Sequence, residues 1–237
     1  MPLFKNIKSF TLIYFILFLI DFWTKINMPI NYRYLTKGAL LMCLLLFFLL
    51  NKKGITKNLY VVLSLVFIFF AEMFLINIDY AGKLLVFFGM LCIVLSKICL
   101  CLKMANKRDF KFSELIPLAI IYGFILIIIF GLILNNLKEF FIPVLLYYIF
   151  SLITGLFVYL RKGVFSTRSF FTVLFGAVLY FIGENISAIS LFTNKLSRDF
   201  YLLNYVGVIW GMYFVVIGIF FEKDSINKNL ETEEYLM

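Results

Sequence analysis

The chain contains no histidine among its 237 residues. That absence removes the Ser-His-Asp triad, the Cys-His dyad and every His-ligated zinc or iron centre before any motif is considered. Charge is scarce as well. Asp, Glu, Lys and Arg together make 15% of the residues, against roughly a quarter in ordinary soluble domains. In their place stand hydrophobic residues at 64% and aromatics at 20%, with a mean hydropathy of +1.03. Such a chain is neither disordered nor a small disulfide-stapled secreted domain, and it is not water-soluble. Acids are the scarcer sign, 13 against 22 Lys and Arg, which leaves a net charge of +9. The four cysteines, Cys43, Cys92, Cys99 and Cys101, all fall in long apolar runs. They read as small buried hydrophobes, not as a redox or metal set.

A helix needs about 20 apolar residues to cross a hydrocarbon slab of ~30 Å. Eight such stretches are present, at 9–26, 34–50, 59–78, 83–102, 115–135, 140–160, 169–192 and 201–221. The predicted fold class is therefore all-α, a polytopic integral membrane bundle of eight transmembrane helices. Residues 1–221 form the membrane domain and residues 222–237 a hydrophilic cytoplasmic tail, in which Glu222, Asp224, Glu231, Glu233 and Glu234 read as solvated. Lys5 and Lys8 precede the first apolar run, but no small-residue cleavage site follows, so this run is expected to stay as a transmembrane helix.

Counting Lys and Arg between the spans gives 14 on the side of the N-terminus and 7 on the other, with Lys97 inside a span. The excess places both termini in the cytoplasm. Basic cytoplasmic loops facing anionic lipid also account for the pI near 9.3, so no nucleic-acid partner is implied. The lack of a cleavable leader, with the bias toward Lys, Asn, Ile and Phe, points to a bacterial cytoplasmic membrane.

The third span contains Phe70-Ala71-Glu72 and the seventh, four spans later, Ile182-Gly183-Glu184. Each acid is followed 11 residues on by a lysine, Lys83 and Lys195. A four-plus-four duplication would give parallel repeats with equivalent residues at equal depth. Chance likeness between apolar helices is the other explanation.

Ionised side chains inside a bilayer cost about 2.5–3.5 kcal/mol on insertion scales, so each one calls for a role. Glu72, Lys97 and Glu184 lie within the spans, and Asp21 near the end of the first. Both glutamates fall roughly 5 Å beyond their span midpoints at 1.5 Å per residue. In the seventh span Gly176, Ala177, Tyr180, Gly183, Glu184, Ser187 and Ala188 form one small or polar stripe, which must face other helices. The eighth carries Asn204, Gly207, Gly211 and Gly218, and the sixth Tyr147, Ser151, Thr154 and Gly155. One reading of the two glutamates is structural, paired with Lys97 or hydrogen-bonded to Tyr or backbone groups. The other is a catalytic carboxyl pair, one neutral and donating a proton, the other ionised.

At these residues the chain resembles the YhhN-like family of eight-helix membrane proteins, whose characterised members are lysoplasmalogenases. Family members carry a Gly-Asp pair late in the third helix and an Ala-His pair in the fourth. A Pro-Val-x-x-Tyr segment opens their sixth helix, and a Gly-Ala-x-x-Phe-x-x-Ser-Asp segment lies in the seventh. Here the corresponding places read Ala71-Glu72, Ser96-Lys97, Pro143-Val144-Leu145-Leu146-Tyr147 and Gly176-Ala177-Val178-Leu179-Tyr180-Phe181-Ile182-Gly183-Glu184. Both family aspartates thus appear as glutamates, and the family histidine as Lys97.

The resemblance implies a lysophospholipid substrate with a vinyl-ether chain, hydrolysed to a fatty aldehyde without a metal or organic cofactor. Glu72 and Glu184 would divide the roles of proton donor and cation stabiliser or base. Lys97, Tyr147, Tyr180 and Asn204 are the candidates for holding the lipid; Lys97 would neutralise a glutamate or hold a phosphate head group. Two competing expectations use the same residues. One is a proton-coupled transporter, the other a non-catalytic lipid-binding member of the same fold. Small-residue stripes serve contacts within and between subunits alike, which leaves the oligomeric state open.

Overall fold

The computed structural model describes residues 6–51, 55–76, 82–105, 112–193 and 198–222. They form α1 (Ile7–Asn27), α2 (Ile30–Asn51), α3 (Ile55–Leu75), α4 (Lys83–Met104), α5 (Phe112–Ile133), α6 (Phe141–Tyr159), α7 (Thr167–Thr193) and α8 (Arg198–Phe220). Among the described residues eight helices are long and apolar enough to cross a membrane, and the chain is an integral multi-pass membrane protein. Their outward surface agrees with that. On α5, Ile120, Phe124, Ile127 and Leu132 are all exposed, an apolar face that only hydrocarbon can cover without penalty.

The chain divides into two compact units, residues 1–103 and 104–237. The boundary falls at the end of α4, so α1 to α4 make one unit and α5 to α8 the other. In the first, α1 and α2 are joined through the stacked rings of Phe10 and Phe47, 3.8 Å between centroids. The link between these helices is only Met28 and Pro29. Proline crowds the residue before it out of the helical region, and Met28 is extended at φ −115, ψ 156. Helix α2 then starts at Ile30, four residues before the expected 34. This corrects the loop count: Arg33 and Lys37, counted between spans, lie inside α2 and are buried.

In the second unit α7 and α8 meet backbone to backbone. A Cβ on Gly183 would lie 2.6 Å from the Val208 nitrogen, and one on Gly211 2.4 Å from the Tyr180 nitrogen. Such an approach needs glycine on both helices. Helix α3 contains none, so the pair α3 and α4 has no sequence basis for a seam of this kind. The two units correspond in helix number, not in packing.

The turn from α6 to α7 is closed by the Val164 and Phe165 N–H groups, which both bond the Arg161 carbonyl at 3.2 and 3.3 Å. Gly163 takes φ +79 there, where a side chain would be strained. The Arg161 side chain is buried beneath this turn. Its Nη2 donates to Ser169 Oγ at 3.2 Å and pairs with Glu222 at 2.9 Å, while Ser169 Oγ donates to the Gly218 carbonyl at 2.7 Å. Burial pulls the guanidinium below its ordinary pKa and the Glu222 carboxylate pushes it back up. Glu222, placed with the solvated tail by sequence, therefore serves as counter-charge to a buried cation. The rest of that tail, 223–237, lies outside the described residues, as do Lys5, Lys52, Lys53, Lys107, Arg108, Lys111 and Lys195 of the loop count.

Candidate functional site

In the first unit the intramembrane acid Glu72 forms an ion pair with Lys37 of α2. Helix α3 stops at Leu75, short of the expected 78, so Glu72 sits in its last turn. Neighbouring positions on α1 and α2 extend the polar face. Asp21 is fully buried and accepts from Thr36 Oγ1, which itself lies 3.1 Å from Thr24 Oγ1. The Thr24 hydroxyl also bonds the Ile20 and Asp21 carbonyls, both at 2.8 Å. Lys25 lies within electrostatic range of Arg33, Lys37, Glu72 and Asp21. Helical spacing explains the convergence: Asp21 and Lys25 are four apart on α1, as are Arg33 and Lys37 on α2, so each pair shares a face.

Lys97 is buried within α4, beside Ser96, whose hydroxyl meets that of Ser64 at 2.7 Å. The cation paired with Glu72 is Lys37, where the sequence points to Lys97. The signal was present in Pro29: a proline at the start of a helix moves the boundary upstream of Arg33 and makes Lys37 an intramembrane charge.

In the second unit Glu184 of α7 accepts a hydrogen bond from the Tyr147 hydroxyl of α6, 2.8 Å to Oε2. Tyr122 of α5 and Tyr148 of α6 lie within electrostatic range of it. Tyr122 is anchored against α6 by its hydroxyl, 3.2 Å from Ser151 Oγ, and by its ring, which lies where Gly155 leaves room. Tyr147 and Tyr148 meet edge to face at 5.1 Å. The Tyr148 hydroxyl is buried and has no hydrogen-bond partner among the described residues. Glu184 thus sits among three phenols, where Glu72 faces an ammonium.

The other two candidates fall elsewhere. Tyr180 and Asn204 are buried at the α7–α8 seam, the backbone of Tyr180 against Gly211 and the Asn204 carbonyl against Gly183. The expected stripe on α7 does face helices: Gly176, Tyr180 and Gly183 turn to α8, and Glu184 to α6. Tyr147 and Glu184 are therefore brought together, Glu72 joins Lys37, and Tyr180 and Asn204 shape the seam.

A phenol and an ammonium do different things for a carboxyl group. The ammonium offers a positive charge that matches a carboxylate; the phenol is a neutral donor that orients one oxygen.

A sequence model of the YhhN family matches residues 32–217, from the first turn of α2 to the end of α8. No curated protein and no solved structure matches the chain.

Proposed function

Because the chain belongs to the YhhN family, we propose that it is a membrane-embedded hydrolase that cleaves the vinyl-ether bond of lysoplasmalogen-type lysophospholipids. The observation that carries this reading is the unlike surroundings of the two intramembrane acids, Glu184 on a phenol and Glu72 on an ammonium. A vinyl ether is inert to base and yields to acid. Its β-carbon takes a proton, an oxocarbenium ion forms, water adds and loses a proton, and the hemiacetal collapses to an aldehyde and the glycerol hydroxyl. Glu184 suits the proton donor, oriented by the hydrogen bond that it accepts from Tyr147. Glu72, ion-paired with Lys37, is the other carboxyl group of the proposal. Tyr147 is then a positioning residue, and Lys97 a further candidate for contact with the lipid. The proposed setting is a bacterial cytoplasmic membrane with both termini in the cytoplasm, the bilayer and a single-chain lipid being the partners.

The ion pair also favours a second reading. A carboxylate already matched by Lys37 is what a lipid-binding protein without catalysis would contain. Aldehyde release from lysoplasmalogen by the detergent-purified chain separates the two. Wild type is expected to release aldehyde, with Glu72→Gln and Glu184→Gln each slower by about 100-fold or more. Folded wild type that releases none overturns the hydrolase.

A further inference from the structure

Five ionisable side chains lie within electrostatic range of one another at one end of the first unit, three basic, Lys25, Arg33 and Lys37, and two acidic, Asp21 and Glu72. Glu72 is engaged by Lys37 and Asp21 by Thr36. Arg33 differs from its neighbours. It is 8% exposed, its Nε is buried, and that nitrogen has no hydrogen-bond partner among the described residues. A buried guanidinium ordinarily meets an oxyanion that can accept from its planar fork.

The location agrees with a head group. Lys25 lies in the last turn of α1 and Arg33 in the first turn of α2, each within about 5 Å of a helix end at 1.5 Å per residue. Helix ends mark the boundary between hydrocarbon and water, the level at which a lipid holds its phosphate. Lys37 lies about 10 Å along α2 from its start, and its partner Glu72 carries the chemistry proposed above.

We propose that Arg33, with Lys25, forms the site that receives the phosphoryl group of the lipid. This deepens the hydrolase reading and rests on it for the lipid's identity. A phosphoryl oxyanion has two sources, a lysophospholipid head group and free phosphate, and the site's chemistry is common to both.

The test uses the full chain in detergent and a lysophospholipid with a saturated acyl chain, which lacks the vinyl ether. Its affinity is compared with that of a monoacylglycerol of the same chain length. Wild type is expected to prefer the phosphorylated lipid by about tenfold or more. R33Q is expected to lose that preference while its monoacylglycerol affinity is unchanged, with R33K intermediate because a lysine keeps the charge but not the fork. Inorganic phosphate is titrated in parallel. Arg33-dependent lipid binding that phosphate does not displace supports the head group; Arg33-dependent binding of inorganic phosphate alone supports the site with the free anion as its ligand. A folded R33Q that keeps the preference, or a wild type that has none, overturns the proposal. Should R33Q fail to fold, K25Q reads the same preference at the helix end, and an unchanged preference there also overturns it. Because the acyl lipid is not turned over, failure of this site and failure of aldehyde release are read separately.

Discussion

Lys37 on α2 and Glu72 on α3 form an ion pair inside the apolar layer, and both lie on segments whose limits differ from those the hydropathy pattern gives. Removing one partner of a buried pair strands the other charge, while removing both leaves nothing stranded. Lys37→Met is therefore expected to lower stability by about 2 kcal/mol, less than for a fully buried pair because Glu72 keeps some exposure. The double variant K37M/E72Q should recover most of that loss. Thermal unfolding in detergent, run as a double-mutant cycle with E72Q alone, measures it; a double loss equal to the sum of the two single losses would mean that the pair contributes nothing.

Tyr147 and Glu184 give a kinetic prediction. Loss of a general acid costs about 10²–10⁴ in rate, so Glu184→Gln should reduce kcat for aldehyde release by at least about 100-fold. Tyr147→Phe removes one hydrogen bond to the acid and leaves the ring in place. Its expected effect is about tenfold on kcat, with little change in KM. A rise in KM at constant kcat would instead make Tyr147 a lipid contact.

The fold was legible because its signals are additive over long windows. Eight apolar runs, each spanning many residues, leave no alternative to eight helices, and errors of a few residues at their ends change nothing about the architecture. The stripe on α7 was legible for a related reason, since glycines every few residues on a bulky helix demand a close neighbour. Lys37 was lost to a boundary error of four residues: a span drawn from 34 leaves it at the rim, and a helix from Ile30 takes it inside. Glu222 was misplaced because a carboxylate after an apolar helix has every local mark of a solvated tail. Its partner Arg161 lies 61 positions earlier, and no local pattern reports such a pairing.

The α7–α8 seam gives a prediction that a neighbouring helix controls. A methyl on Gly211 would meet the Tyr180 nitrogen at 2.4 Å and its Cα at 2.6 Å, both backbone atoms that move only if the helices part. Gly211→Ala is expected to destabilise by about 1–3 kcal/mol. At Gly131 on α5 a Cβ meets nothing within 4 Å, and alanine favours the helix over glycine by up to about 1 kcal/mol. Gly131→Ala should accordingly be neutral or stabilising. Similar losses in both variants, measured by thermal unfolding, would show that the seam does not depend on close approach.

Tyr148 yields the least intuitive expectation. Its hydroxyl is buried without a hydrogen-bond partner among the described residues, a state that costs about 1–3 kcal/mol. Its ring, by contrast, is well placed, edge to face with Phe130 at 5.7 Å and with Tyr147 at 5.1 Å. Tyr148→Phe keeps both ring contacts and removes only the stranded oxygen, so it should raise stability by about 1 kcal/mol. The sign is what matters. A fall in melting temperature would mean that the hydroxyl is satisfied by a water or a lipid oxygen beside Glu184. Repeating the melt with a saturated acyl lysophospholipid present separates these: a lipid partner stabilises wild type more than Tyr148→Phe, whereas a water leaves the difference between the two unchanged.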